Sequence, residues 1–367
     1  MNKDGSVLDR SHLEAYLQTI SGKAVHIEAI NQLGGDQGGA AALKAFGYGQ
    51  PLHIRYQVDD QRREVVLRRV RRNGFGREMA ADRVAAVWLD YETFNHLPGH
   101  VSALDMIGLA QDQELYSLGH IDDLLLLTDY VLGEPYAEDL ARIRDTGTAS
   151  AQDMARAGAL ADYLVRIHAR KHDEPLLWRR RLRDLIGHGE GIMGLADSYP
   201  PDFALASADD LLELEQAANR WRWQLKPLTH RLSQVHGDFH PFNILFRQGL
   251  EFHLVDRSRG PWGEPADDVS CLSINYLFFS LQRDDRLAEP FASLYRAFWE
   301  NYLDGNPDHE LLTVIQPWFA WRALVLASPQ WYANIAEEVR RKLLHFARQV
   351  LATPRFEWSD VNRYLTG

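Results

Sequence analysis

The run Val235-His-Gly-Asp-Phe-His-Pro-Phe-Asn-Ile-Leu-Phe246, followed after a short turn by Phe252-His-Leu-Val-Asp256, constrains this chain more than any other segment. Asn243 to Phe246 reads as a short strand, Gln248-Gly249 as a turn signal and Glu251 to Val255 as the returning strand. With Gln248 and Gly249 as the two central turn residues, Arg247 faces Leu250 and Asn243 faces Leu254. Asp256 then lies two residues past Leu254 and points to the same face as Asn243, because side chains alternate along a strand. The expected Cα separation is roughly 7–8 Å, the diagonal spacing of an antiparallel pair. The expectation depends on register, since a one-residue slip puts the two side chains on opposite faces.

An amide oxygen from Asn243 and a carboxylate from Asp256 suit Mg²⁺, which takes oxygen ligands at about 2.0–2.1 Å and usually only one or two from protein. Asp238 precedes Asn243 in the loop entering the hairpin, where it can face an acceptor hydroxyl. A carboxylate with a pKa near 3.9 is a feeble base. A loose phosphoryl transition state asks only that it orient the hydroxyl and take the proton late. The bland alternative is a loop of satisfied polar residues.

The stretch His236-Gly237-Asp238-Phe239-His240-Pro241-Phe242-Asn243 resembles the His-Gly-Asp-x-His-x-x-Asn motif of the aminoglycoside phosphotransferase and choline kinase-like superfamily, a branch of the protein-kinase fold. The resemblance implies Asp238 as catalytic base, with Asn243 and Asp256 as metal ligands, and ATP and Mg²⁺ as cofactors. It implies an α+β, two-lobed protein-kinase-like fold, with a small mixed β-sheet N-lobe and a large, mainly helical C-lobe. Residues 1–128 would form the nucleotide-binding lobe, 129–135 the hinge and 136–367 the catalytic and substrate-binding lobe. The family's Gly-x-Pro-x-x-Asp pattern matches Gly263-Glu-Pro265 and Asp268, which gives Asp268 a structural role in holding the catalytic loop. His236 and His240 read as loop braces; their one-residue gaps from Asp238 lack the spacing of a zinc site.

Length and composition agree with two lobes. The chain has 367 residues, 46% of them apolar and 25% charged. A net charge of −11 argues against a general nucleic-acid binder, which would usually be basic. The single cysteine, Cys271, excludes an internal disulfide and suits a reducing cytoplasm; it reads as a small buried apolar residue. No apolar run long enough to cross a bilayer and no signal-peptide pattern is evident, so a cytoplasmic protein without membrane partners is expected, as monomer or homodimer.

Periodicity supplies the rest of the frame. Ser11–Ile20 reads as a helix, His26–Leu33 as a strand, and alternating Leu52, Ile54, Tyr56 and Val58 as a half-buried strand. Glu64–Val70 follows a turn at Asp59-Asp60, then a helix over roughly 77–94 and a short buried strand at Leu124–Leu127. Ser150-Ala-Gln-Asp153 reads as a capping-box start, and Ser207 opens a helix that breaks near Pro227. Further helices are expected near 266–282, 287–303, 309–327 and 331–352. Trp318, Trp321, Trp331 and Tyr332 read as core, with a pocket wall as the alternative.

Secondary sites follow from the resemblance. Gly34-Gly-Asp-Gln-Gly-Gly39 would let backbone amides, at Gly35 and Gly38 among them, approach nucleotide phosphates; a plain hairpin loop is the alternative. The third strand offers no Lys, so Arg68 is the candidate to grip phosphate, with Glu78 as its carboxylate partner. A solvated basic face is the alternative for Arg68, Arg69, Arg71 and Arg72. Backbone groups of Thr128 to Val131 would meet adenine. Arg257-Ser-Arg259 departs from the family pattern, and Arg257 or Arg259 is read as reaching phosphate or an anionic acceptor.

The leading reading is an ATP- and Mg²⁺-dependent kinase of a small hydroxyl-bearing acceptor: an amino sugar, a sugar or an amino alcohol. A catalytically weak nucleotide-binding regulator is the second. A protein kinase is the third; it lacks an Ala-Pro-Glu segment and has His-Gly-Asp where His-Arg-Asp is expected.

Overall fold

Alternation of apolar and polar residues over Leu52–Val58 builds the central strand of the first unit. A computed structural model describes residues 9–33 and 51–366, and the chain divides into two units, Met1–Thr128 and Asp129–Gly367. In the first, α1 (Arg10–Ser21) precedes β1 (Val25–Gln32), β2 (Leu52–Val58) and β3 (Gln61–Leu67), which form an antiparallel sheet in that order. Asp59 takes a positive φ of 51° to close the β2–β3 turn. Leu13, Tyr16 and Leu17 of α1 bury against Ile27, Ile54, Tyr56 and Val58, giving the unit its own core. Then come α2 (Ala80–Phe94) and a small hairpin of β4 (Ile107–Leu109) and β5 (Leu115–Ser117).

Three details differ from the sequence reading. The sheet is antiparallel rather than mixed. β3 stops at Leu67, so Arg68 and Arg69 lie beyond it, and α2 starts at Ala80, so Glu78 precedes the helix. Leu124–Leu127 form no strand; these leucines are 59–97% exposed. A short apolar run has no alternation to mark it as a strand, and no neighbouring strand pairs with it among the described residues.

The second unit is mainly helical. β6 (Glu134–Pro135) leads into α3 (Tyr136–Thr146), α4 (Ala151–His168), α5 (Pro175–Gly187), α6 (Ile192–Ser198) and α7 (Ala208–Leu225). Ser150 caps α4: its hydroxyl accepts from the Asp153 amide at 3.2 Å while the Asp153 carboxylate accepts from the Ser150 amide at 2.7 Å. Ser207 and Asp210 repeat the device on α7, which ends two residues before Pro227. Next are β7 (Ser233–Gln234), β8 (Ile244–Phe246), β9 (Phe252–Leu254) and β10 (Trp262–Gly263). β8 lies between β6 and β9, while β7 pairs with β10.

Five helices complete the unit: α8 (Pro265–Leu281), α9 (Phe291–Gly305), α10 (Leu311–Val314), α11 (Gln316–Ala327) and α12 (Glu337–Ala352). α8 is buried at every position, as its nearly all-round apolar sequence requires. It packs on α9 and α11, and α4 packs on α9. These helices give the unit a contiguous core that includes Trp178, Trp299, Trp318 and Tyr276. The chain is thus α+β, with a small antiparallel sheet and its helices in the first unit and a mainly helical second unit. Among the described residues no helix is long and apolar enough to cross a membrane.

Candidate active site

The loop 236–243 is held from below by one acid. Asp268, near the start of α8 and fully buried, accepts from the His236 amide at 2.8 Å and the Gly237 amide at 2.7 Å. His168, at the end of α4, adds a bond from Nε2 at 3.1 Å; its Nδ1 lies 2.8 Å from the Tyr302 hydroxyl, which accepts from Asn306. The Tyr302 proton therefore points to Nδ1, which leaves Nε2–H to donate to Asp268. Burial works to raise the Asp268 pKa, but His168 and the loop amide outweigh it and hold the carboxyl below its ordinary range.

Gly237 sits at φ +89°, and a Cβ there would come within 3.3 Å of the Arg259 Cβ. His236 donates from Nε2 to the Val255 carbonyl at 3.1 Å and accepts from the Asp238 amide at Nδ1, so it braces the loop against the returning strand.

The hairpin register differs by one residue from the sequence reading. Ile244 pairs with Leu254 and Phe246 with Phe252, and Arg247 bonds to Glu251 rather than facing Leu250. The loop holds Gln248, Gly249 and Leu250, with Gly249 at φ +62°. A three-residue loop with a left-handed glycine is the next commonest hairpin after the two-residue turn, and the sequence does not separate them.

With this register, strict alternation would send Asn243 and Asp256 to opposite faces. Neither belongs to a strand, however. Asn243 ends the 3₁₀ turn Pro241–Asn243, and Asp256 leaves the ladder at φ +55°. The Val255 amide bonds to the Asn243 carbonyl at 3.1 Å, so the two residues flank the mouth of the hairpin.

Asn243 is buried and donates through Nδ2 to the Asp238 carbonyl at 3.1 Å. Among the described residues its amide oxygen accepts no hydrogen bond, and the exposed Asp256 carboxylate has no hydrogen-bond or ionic partner. Two hard oxygen donors with no competing partner fit Mg²⁺. No group of three His, Cys, Asp or Glu gathers into a metal site among the described residues.

Asp238 is more heavily engaged than its sequence context suggests. Its Oδ1 takes Arg322 Nη1 at 2.7 Å and Arg259 Nη1 at 2.8 Å, while His240 Nε2 lies 3.6 Å from Oδ2. Burial pulls its pKa upward, yet the Arg322 guanidinium, the His240 ring and the Arg259 guanidinium reverse this and hold the carboxyl far below the carboxylate range. Behind it, Asp267 receives Arg322 Nη2 at 2.5 Å and Arg181 Nη2 at 3.2 Å. Asp267 is therefore more than the helix-start acid that its place in the sequence suggests. Arg259 and Arg322 both approach the Trp321 ring, at 5.0 and 4.0 Å. Cys271 is buried, as expected, with its sulfur 4.0 Å from Asp238 Oδ1.

Arg181, Arg322 and Trp321 were not singled out from sequence as parts of this cluster. The available signal was a charge on an apolar helix face: Arg181 between Trp178 and Leu182, and Arg322 in Trp318-Phe-Ala-Trp-Arg-Ala. Arg257 donates to the Val235 carbonyl at 2.7 Å.

A cavity of about 460 Å³ adjoins the loop, walled by Phe242, Phe278, Phe279, Trp331 and Tyr332, with Glu138 and Arg144 from α3 also lining it. Burial pushes the Tyr332 hydroxyl up to about 12, with the nearby Asp238 charge adding to the effect. Trp318 and Trp321 are core residues, whereas Trp331 is exposed at this cavity.

The Arg68 guanidinium lies 5.9 Å from the Phe94 ring centre. Glu78 is 3% exposed, and its carbonyl accepts from Arg72 Nε at 3.0 Å. Thr128 is exposed, and Val131, the first unit's neighbour in sequence, is half-buried; both lie in chain without regular structure. Gly35 and Gly38 lie outside the described residues.

A loop bearing an aspartate, a buried acid that holds it and a hairpin flanked by two unengaged oxygen donors is an arrangement suited to a phosphotransferase site. The phosphotransferase enzyme family model APH matches residues 52–311, and the chain belongs to that family. That family is one of phosphotransferase enzymes. No curated protein sequence matches the chain.

Among solved structures, a glucosamine kinase in complex with glucosamine, ADP and inorganic phosphate aligns at 18% identity, covering 62% of this chain and 57% of its own, with a TM-score of 0.36. An amicoumacin kinase in complex with AMP-PNP, Ca²⁺ and its ligand Ami aligns at 14% identity over 94% and 96% of the two chains, with a TM-score of 0.40. A Plasmodium vivax ethanolamine kinase aligns at 12% identity over 95% and 81%, with a TM-score of 0.35. The chain thus spans little more than half the length of the glucosamine kinase it matches. Likenesses this distant name no acceptor.

Proposed function

We propose that this enzyme transfers the γ-phosphoryl group of ATP, with Mg²⁺, to a hydroxyl of a small molecule such as an amino sugar, a sugar or an amino alcohol. The observation that carries the reading is the placement of two unengaged hard oxygens, on Asn243 and Asp256, at the mouth of the hairpin whose entry loop holds Asp238. Asn243 and Asp256 would hold the metal, which when bound neutralises charge on the nucleotide phosphates. Asp238 orients the acceptor hydroxyl and takes its proton late. Its low basicity is compatible with a loose transition state, in which little proton transfer precedes P–O cleavage.

Asp268, with His236 and His168, keeps the loop in place during the reaction. The aromatic cavity beside Phe242 supports an acceptor with an apolar face, and the polar groups of Glu138 and Arg144 would meet its substituents. In the first unit, Arg68 and Glu78 are the proposed nucleotide contacts, with the Gly35–Gly38 segment covering phosphate and the backbone of Thr128 to Val131 meeting adenine. The nucleotide-binding role of residues 1–128, the hinge at 129–135 and the catalytic role of 136–367 belong to the same proposal.

The test is ADP release by the purified chain over a panel of hydroxylated metabolites, with and without Mg²⁺. Turnover that needs Mg²⁺ and disappears in Asp238→Asn supports the reading. A chain that binds ATP yet phosphorylates nothing on a broad panel of sugars and amino alcohols overturns it.

A further inference from the structure

We propose that Arg322 is a positioning residue for phosphoryl transfer: it fixes the Asp238 carboxylate by one oxygen, so that the other is the oxygen offered to the acceptor hydroxyl. The inference rests on the functional reading above.

Four observations carry it. Arg322 Nη1 and Arg259 Nη1 both end on Oδ1, at 2.7 and 2.8 Å, and the Cys271 sulfur also lies on that oxygen. Among the described residues Oδ2 has no hydrogen-bond partner, and His240 Nε2 stands 3.6 Å from it, beyond hydrogen-bond range. Arg322 is itself held on three sides: Nη2 donates to the Gly237 carbonyl at 3.0 Å and to Asp267 at 2.5 Å, and the Trp321 ring lies beneath the guanidinium. Its Nε is buried with no partner.

That last point separates position from stability. A buried ion pair is poor evidence of net stabilisation, and a charge with one donor unsatisfied is poorer still. The planar fork does what a point charge cannot, since it spans the base, the loop carbonyl and the α8 acid at once. Arg322 therefore ties the catalytic loop to α8 and α11 and sets the rotamer of Asp238. In the step, the acceptor O–H bond breaks with its proton passing to Oδ2, the acceptor oxygen bonds to the γ-phosphorus of ATP, and ADP leaves with the electron pair of the broken P–O bond.

The experiment compares wild type with Arg322→Lys, Arg322→Met and Arg322→Ala, each checked by thermal melting, with Asp238→Asn as the control for the functional reading. Arg322→Met is expected to lower kcat roughly 10- to 150-fold, the worth of a hydrogen bond to a charged group, while KM for ATP and for the acceptor shifts less than about twofold. Arg322→Lys is expected to fall between wild type and Met. Arg322→Ala is expected to regain activity saturably with added guanidinium but not with methylammonium.

A purely structural role would lower the melting temperature without this kcat-only signature and without rescue. Wild-type kcat in folded Arg322→Lys and Arg322→Met overturns the inference while an inactive Asp238→Asn leaves the kinase reading standing. If Met does not fold, the Lys variant and the guanidinium titration decide. Turnover unaffected in Asp238→Asn as well overturns both.

Discussion

Val255 donates its amide to the Asn243 carbonyl at 3.1 Å, and the next residue, Asp256, turns out of the ladder into the left-handed region. This single bond sets Asn243 and Asp256 on either side of the hairpin mouth. If the two hold Mg²⁺, Asp256→Asn and Asn243→Ala should each raise the Mg²⁺ concentration for half-maximal rate more than about tenfold, the lower end of what even outer-shell partners contribute. A metal titration of initial rates measures it, and identical half-saturation in both variants would sink the assignment.

Asp238→Asn keeps the shape of the side chain but removes the carboxylate proposed to take the proton. We expect kcat to fall about 10²–10⁴-fold with ATP binding retained, since general-base catalysis is worth that much. Steady-state kinetics and nucleotide titration together check it.

Arg259 is more exposed than Arg322, and one of its bonds goes to the half-exposed Glu190 at 3.0 Å. With the more buried Arg322 still on Oδ1, Arg259→Ala should change kcat less than about fivefold, roughly the 1 kcal/mol of a single modest ion pair. A larger acceptor KM in this variant would support contact with an anionic acceptor; unchanged kcat and KM for both substrates would exclude such a contact.

Arg231, 2% exposed, donates to Glu264 at 2.5 and 2.8 Å and to Asp308 at 2.7 Å. Glu264 is fully buried and also caps α8. Arg231→Met should therefore cost about 3–5 kcal/mol, because it strands a buried acid. Urea unfolding reads this directly; a loss below about 1 kcal/mol would show that the acid finds another partner or protonates without consequence.

Burial lowers the His236 pKa, against the opposing pull of Asp268 and Asp238, so the folded loop holds it neutral. The unfolded chain takes up a proton near pH 6.5. The stability His236 contributes is thus fully present above that value and declines as pH falls from it toward the lower folded pKa, by at most about 1.4 kcal/mol per pH unit. Unfolding midpoints between pH 7.5 and 5.5 should slope downward in wild type and less so in His236→Asn. Equal slopes would assign the effect to other groups.

Much of this fold is legible in the residues, for a reason that also explains the misses. The capped helices at Ser150 and Ser207 and the alternating strand at Leu52–Val58 are local signals, and local signals survive without a structure. The hairpin register is decided by one residue of loop length around Gly249, which the sequence leaves open. Leu124–Leu127 has apolar character but, among the described residues, no partner to make it a strand. The arginine cluster is non-local: Arg322 meets Asp238 across 84 positions of sequence. Only the oddity of a charge inside an aromatic run hinted that Arg322 had somewhere specific to go.

Asp268 serves two masters, the first turn of a helix with no solvent-facing side and the two amides that shape the loop carrying Asp238. Warming that loosens the helical interior must therefore slacken the loop in the same event. Heat loss of activity is therefore expected to track melting of the second unit's interior rather than to precede it.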